Sequence, residues 1–148
     1  MNKTKEINGK TFSVAPFMAV EGLRLKVYIM KKFGSALAQL ISEKGLETEI
    51  SSRNLSKAVE TLMNNLTEDE FISFLKRISV NTTVSWKDED GTHTLAFAND
   101  FNTAMDAVFK EHLFDIYPFI GFVLEVNYPD FFTKVLPNFG VLMSQTNG

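Results

Sequence analysis

The feature that most constrains the fold of this chain is a stretch rich in aromatic residues, from Phe97 to Phe139. These 43 residues hold nine of the chain's 14 phenylalanines and two of its three tyrosines, but only eight charged side chains. So much aromatic surface has to be buried, either in the core of the domain or against a partner. Five phenylalanines with core spacing are assigned to the interior: Phe101, Phe109, Phe114, Phe119 and Phe122.

The end of this stretch carries the candidate partner-binding residues. They are Tyr128, Phe131, Phe132, Phe139, Glu125 and Asn127. The four aromatic side chains lie near a proline-rich end, so they either complete the core or form an exposed patch of the kind that binds partners. The glutamate stands in an apolar run, and it is either a local cap or salt-bridge residue or a polar anchor in a binding groove.

Length and composition predict one domain over residues 1–148. The chain is 45% hydrophobic and 22% charged, which is ordinary for a folded domain of this size. We predict an α+β fold that is predominantly helical, with about five to six helices and two small β-hairpins. Residues 43–53 have no apolar period and are predicted to form a mobile loop, and residues 141–148 are predicted to form a frayed tail.

Turn and strand patterns predict the two hairpins. Asn8-Gly9 suits the two positive-φ positions of a type I′ turn, so the short segments on either side form the first hairpin. Val80 to Trp86 alternates polar and apolar residues and is rich in β-branched types, which favours a strand. Thr92 to Phe97 is the return strand of the second hairpin.

A helix is predicted from Phe17 to Phe33, and Gly34 is predicted to separate it from a short second helix. The apolar residues of this region fall into two stripes, so we expect packing on two sides. One stripe consists of Val20, Leu23, Val27 and Met30, and the other of Met18, Leu25 and Ile29. Between the stripes we predict a narrow exposed basic strip, formed by Arg24, Lys31 and Lys32.

Capping residues mark the starts of later helices. Thr67 and Glu70 have the spacing of a capping box, in which the side chain of each satisfies the backbone N–H of the other. Asp100 or Asn99 is predicted to cap a helix that reaches about Phe114 and has Leu113 on its inward face. Asp115 is predicted to cap the helix that follows.

No arrangement of residues in the sequence points to catalysis. The only histidines, His93 and His112, are isolated, and the chain has no cysteine, so neither a zinc site nor a disulfide is expected. No serine lies in a nucleophile elbow, and no glycine-rich turn suits a phosphate. We therefore expect no cofactor, no small-molecule substrate and no enzymatic activity. No apolar run approaches the length of a membrane span, so no membrane partner is expected either.

The charge of the chain argues against nucleic acid as its main partner. The net charge is −3, whereas a protein that binds a duplex usually has a clear basic excess. Arg24, Lys31 and Lys32 could contact phosphates or an acidic protein. A solvated helix face, in which Glu21 pairs with Arg24, explains these residues more simply.

Three stretches of the chain resemble the tail assembly chaperones of long-tailed bacteriophages. They are INGKTFSV, PFMAVEGLRLKVYIMKKFGSALAQL and DFNTAMDAVFKEHLFDIYPFIGFVLEVNYPDFF. The resemblance implies a non-enzymatic assembly factor in the cytoplasm of the bacterial host. It implies binding to the long helical tape-measure protein, shielding of that protein from aggregation, recruitment of tail-tube subunits, and release before the virion is complete.

Two other functions stay open at this point. One is a structural tail or neck completion protein, which would remain in the virion and be detected there by mass spectrometry. The other is a small nucleic-acid-binding regulator that uses the basic strip, which would show salt-dependent binding to DNA. The sequence also leaves the oligomeric state open.

Overall fold

The structure, a computed structural model, describes residues 2–44 and 52–129. Within these ranges it contains five α-helices and four β-strands, which confirms the predicted α+β class and the predominance of helix. In chain order the elements are β1 (Lys3–Ile7), β2 (Lys10–Val14), α1 (Ala19–Lys44), α2 (Ser52–Met63), α3 (Glu68–Ile78), β3 (Thr82–Asp88), β4 (Gly91–Ala96), α4 (Phe101–Phe109) and α5 (Ile116–Asn127), with a 3-10 turn at Leu113–Asp115 before α5.

The four strands form one antiparallel sheet in the order β1-β2-β3-β4. Asn8 and Gly9 both have positive φ, at 50° and 81°, as the predicted type I′ turn requires. The strands pair as the two predicted hairpins, but β2 also pairs with β3, which joins the hairpins into one sheet and places Phe12 opposite Val84. A lone two-stranded hairpin is marginally stable, whereas four strands present one continuous apolar face to the helices.

Four phenylalanine rings from different parts of the chain meet over this face of the sheet. Phe12 of β2 lies 5.2 Å from Phe119 of α5, measured between ring centroids, and Phe97 and Phe109 lie 5.8 Å and 5.7 Å from the same ring. All four side chains are at most 2% exposed. Two of these pairs are tilted and the Phe97–Phe119 pair is stacked, and the distances are those of favourable aromatic pairs, so this cluster joins β2, the end of β4, α4 and α5.

Helix α5 lies at the centre of the described fold. It packs against α2 and also contacts β1 and α3. Eight of its 12 residues are buried, among them Phe119, Ile120 and Val123. Pro118 lies in its first turn, where a missing backbone N–H removes no intrahelical hydrogen bond, so the proline does not break the helix.

Helix α1 is continuous through Gly34, so the predicted break and the short second helix are wrong. A glycine inside a helix costs only about 1 kcal/mol relative to alanine. Packing next to this position outweighs that cost, since Phe33 and Ile29 are buried. The Phe33 ring meets Phe74 of α3 edge-on, with centroids 6.0 Å apart.

Helix α4 ends at Phe109, earlier than predicted. The 3-10 turn redirects the chain from α4 into α5, and it leaves Leu113 66% exposed and Phe114 75% exposed. The assignment of both side chains to the interior is therefore wrong. Asp115 precedes α5 but makes no capping hydrogen bond, and its carboxylate instead accepts a hydrogen bond from the Asn8 side chain at 3.0 Å.

The other predicted caps are confirmed. Thr67 and Glu70 form the reciprocal capping box of α3, with distances of 3.2 Å and 3.0 Å. Asp100 accepts the backbone N–H of Thr103 at 3.1 Å at the start of α4. Of the predicted loop at 43–53, the first two and last two residues are helical, and residues 45–51 lie outside the described residues, as does the predicted tail at 141–148.

The aromatic cluster generates a prediction about stability. Phe12→Ala removes a buried ring from the centre of the cluster, and we expect it to lower the free energy of unfolding by about 3–5 kcal/mol. Phe114→Ala is the matched control, because the same atoms are removed from an exposed ring, and we expect a change within about 0.5 kcal/mol. Urea denaturation followed by circular dichroism measures both values. Equal losses would contradict the assignment of Phe114 to the surface.

Candidate partner-binding surface

The end of α5 is joined to the beginning of α1 by two hydrogen bonds, one from each of two candidate residues, and a third bond within α5 orients one of them. The side-chain oxygen of Asn127 accepts the backbone N–H of Phe17 at 2.7 Å, and its amide nitrogen donates to the carbonyl of Val123 at 2.9 Å. The Tyr128 hydroxyl donates to the carbonyl of Gly22 at 2.6 Å, and burial raises the pKa of this hydroxyl. Asn127 and Tyr128 therefore fix where α1 begins.

Glu125 lies on the exposed side of α5. It borders a cavity of about 240 Å³ between α5 and β1, together with Lys3, Lys5 and Phe122. The Lys5 ammonium lies over the Phe122 ring, 5.9 Å from its centroid. The carboxylate is thus accessible on a mixed polar and apolar part of the surface.

The remaining candidate residues, Phe131, Phe132 and Phe139, lie outside the described residues. The structure brings Glu125, Asn127 and Tyr128 together at one end of α5. The partner-binding role of the six residues stays a prediction.

The predicted basic strip divides into paired and unpaired cations. Lys32 forms an ion pair with Glu70 of α3, so it contributes to the packing of α1 on α3. Arg24 and Lys31 are exposed and make no ion pair with any described residue. These two are the members of the strip that remain available to a partner.

The predicted pairing of Glu21 with Arg24 is wrong. Glu21 instead accepts a hydrogen bond from Arg77 of α3 at 2.7 Å. The guanidinium of Arg77 also lies over the Tyr28 ring, 5.7 Å from its centroid, which adds a cation–π contact to the ion pair. Arg77 therefore binds the α1 surface at two points.

The sequence reasoning missed an exposed apolar strip on α1. Val20, Leu23 and Val27 are 64%, 62% and 51% exposed, although they were assigned to a packed stripe. We call these three residues the outer strip. Met18, placed in the other stripe, precedes the helix and is also wrongly assigned, being 82% exposed.

The opposite side of α1 supplies the core contacts. Leu25, Ile29 and Phe33 are at most 5% exposed. Apolar residues on both sides of α1 were visible in the sequence. The sequence does not show that the domain buries only one of these two sides of α1, and this is why the outer strip was assigned to the core.

Other polar groups of the described residues have local explanations. His93 stacks on Trp86 at 5.2 Å and bonds to Asp88 at 2.8 Å, and this bond lowers the pKa of the Asp88 carboxyl. In the described ranges, no group of three or more His, Cys, Asp or Glu residues could hold a metal ion. Among the helices described, none is long and apolar enough to cross a membrane.

The fold and the outer strip define an α+β domain with an apolar surface suited to contact another protein. Residues 8–140 match the family model described as "Phage tail assembly chaperone protein, TAC". The match covers most of the chain, and the protein belongs to this family, as its sequence resemblance suggested. Membership supports a chaperone role in tail assembly. No curated protein and no solved structure matches the chain.

The hydrogen bonds of Asn127 predict a structural role that is measurable without a partner. Asn127→Ala leaves the half-buried N–H of Phe17 without its acceptor, so we expect the free energy of unfolding to fall by about 1–3 kcal/mol. Glu125→Ala, two residues away on the exposed side, should change it by less than about 0.5 kcal/mol. Urea denaturation of both variants tests this, and an undiminished stability of Asn127→Ala would refute the role.

The ion pair between α1 and α3 predicts a pH dependence. The hydrogen bond from Lys32, with that from the Thr67 backbone, lowers the pKa of Glu70 from its ordinary value of 4.5 to about 2. Because the folded pKa lies below the unfolded one, the stabilisation is present above the ordinary value and is lost as pH falls toward about 2. Glu70→Gln should therefore lower the melting temperature at pH 7, and this deficit should shrink over that range.

Glu68→Gln is the control for this measurement, because Glu68 lies in the same first turn of α3 and makes no ion pair with a described residue. Thermal unfolding is followed by circular dichroism at several pH values. A deficit for Glu70→Gln that is the same at low and neutral pH would contradict the assignment.

Proposed function

We propose that this protein binds the helical tape-measure protein and shields it from aggregation during tail assembly. The observation that carries the proposal is the outer strip of α1. In this chain, which belongs to a chaperone family, three apolar side chains lie exposed along one helix, where the core does not cover them. Such a strip matches the apolar face of an amphipathic helix, which is the part of the partner that aggregates when left in water.

The strength of such a contact suits a temporary partner. Full burial of an exposed Val or Leu stabilises a complex by roughly 1.5–3 kcal/mol, and the strip residues are only about half to two-thirds exposed to begin with. The three together contribute about 3–5 kcal/mol before the entropic cost of association is subtracted. One copy therefore binds weakly through this strip, and it is released when tail-tube subunits take its place.

We propose that the C-terminal candidate residues belong to the same surface. Tyr128 bonds to Gly22, one residue before Leu23 of the outer strip, so the chain leaves α5 beside the start of the strip. We propose that Phe131, Phe132 and Phe139 contact the partner next to it. Glu125 is the accessible polar residue at this end of α5, while Asn127 and Tyr128 also hold α1 in place.

The proposal includes the setting of the interaction. The protein acts without enzymatic activity in the cytoplasm of the host and helps recruit the tail-tube protein to the tape-measure protein. It is absent from the finished virion.

Co-expression with the tape-measure protein tests the proposal. We expect the soluble fraction of that protein to rise several-fold when this chain is present. Phe131→Ser combined with Phe132→Ser should remove most of the gain, because these changes take apolar surface from the proposed contact. Phe114→Ser is the matched control, since Phe114 is exposed at the opposite end of α5.

Two results would contradict the proposal, the first in its function and the second in its surface. One is a soluble fraction that is the same with and without this chain. The other is an equal gain from the native chain and from the double variant at equal expression, which would remove the C-terminal phenylalanines from the surface.

A further inference from the structure

The outer strip continues as a coiled-coil seam along α1. Val20, Leu23, Val27 and Met30 are spaced three, four and three residues apart, so they occupy alternating a and d positions of a heptad. The first three are exposed, and Met30 is partly buried against the core. These four residues span about three turns of α1, and an apolar seam of this kind suits a second helix alongside it.

Three of the positions flanking this seam are basic. Arg24 and Lys31 occupy e positions and Lys26 occupies a g position, and all three are exposed. None forms an ion pair with a described residue. From Ala19 to Ser35, α1 has a single acidic residue, Glu21. Its carboxylate forms an ion pair with Arg77 of α3. The charges beside the seam are therefore all positive and unneutralised within the described fold.

We propose that the outer strip is a coiled-coil docking site for an amphipathic helix that has apolar a and d positions and acidic residues at e and g. The charges at e and g positions set the choice of partner in coiled coils, so three cations select a helix with acidic flanks. The identification of that helix as a segment of the tape-measure protein rests on the proposed function. The apolar seam supplies the contact area, and the charges decide which heptads of a long partner are bound first.

Charge also argues against two other occupants of the seam. In a pair formed by two copies of α1, Arg24, Lys26 and Lys31 of each helix flank the seam, so these charges repel one another in parallel and antiparallel orientation alike. The chain's own residues 130–148 hold a single acid, Asp130, and a single base, Lys134. That segment cannot supply an acidic flank on both sides of a seam.

Two synthetic helices test the proposal on the full-length protein. Both have about four heptads with the same Ile and Leu residues at a and d, and they differ only in Glu or Lys at every e and g position. Binding is measured by fluorescence anisotropy at low and high salt. We expect the Glu peptide to bind about 10-fold more tightly than the Lys peptide at low salt, with the ratio falling as salt screens the exposed charges.

Variants of the protein assign the effect to this surface. Arg24→Glu combined with Lys31→Glu should reverse the preference toward the Lys peptide. Leu23→Ser should weaken binding of both peptides by about 10-fold, because it removes a leucine side chain that the bound peptide would bury. Leu113→Ser is its matched control, because Leu113 is 66% exposed and Leu23 is 62% exposed. Circular dichroism of each variant confirms that it is folded.

Four results would overturn the proposal. They are equal binding of the two peptides, binding of neither, a loss that is the same for Leu23→Ser and Leu113→Ser, and a dimer of the native protein that Leu23→Ser dissociates. The proposal would also be contradicted if the Glu peptide bound the Phe131→Ser, Phe132→Ser variant more tightly than the native protein. The chain's own C-terminal segment would then be the natural occupant of the outer strip.

The two proposals fail separately. If the native chain solubilises the tape-measure protein but does not discriminate between the peptides, the docking mode is wrong and the shielding function stands. If it discriminates between the peptides but leaves that protein insoluble, the docking site stands and the proposed partner is wrong.

Discussion

The packing of Phe12 against Phe119 is the contact on which the rest of the structure depends. It holds α5 against the sheet, and α5 in turn carries Asn127 at its end. Asn127 accepts the N–H of Phe17 and so fixes where α1 begins. The orientation of α1 follows, with one apolar side toward the core and the other toward solvent. A surface suited to a partner is thus a consequence of how the aromatic core is arranged.

Helix α1 has to satisfy two requirements with one sequence. Its inner side contributes Leu25, Ile29 and Phe33 to the core, which stabilises the chain alone. The outer strip adds little to that stability, and its exposure carries a risk of aggregation. The basic residues beside the strip keep this side of the helix soluble, and like charges discourage contacts between copies. An apolar seam with charged flanks is therefore compatible with a stable domain that still binds another helix.

Local signals in the sequence predicted much of the fold. The Asn8-Gly9 turn and the Thr67–Glu70 capping box depend on neighbouring residues alone, so short patterns suffice to identify them. The joining of two hairpins into one sheet and the exposure of Phe114 depend on distant parts of the chain, which periodicity does not contain. The outer strip was seen as apolar but assigned to the core, because a partner interface on a helix has the same spacing as a core stripe.

Cysteine accessibility in a complex tests most directly whether the outer strip binds the partner. The chain has no cysteine, so Leu23→Cys introduces a single thiol on the strip, and Leu113→Cys places one at a similarly exposed position elsewhere. Maleimide labelling of each variant is followed by mass spectrometry, free and bound to the tape-measure protein. We predict that binding slows labelling at position 23 at least about 10-fold and leaves position 113 unchanged, following the burial expected at an interface. Equal labelling rates at position 23 in the free and bound protein would contradict this account.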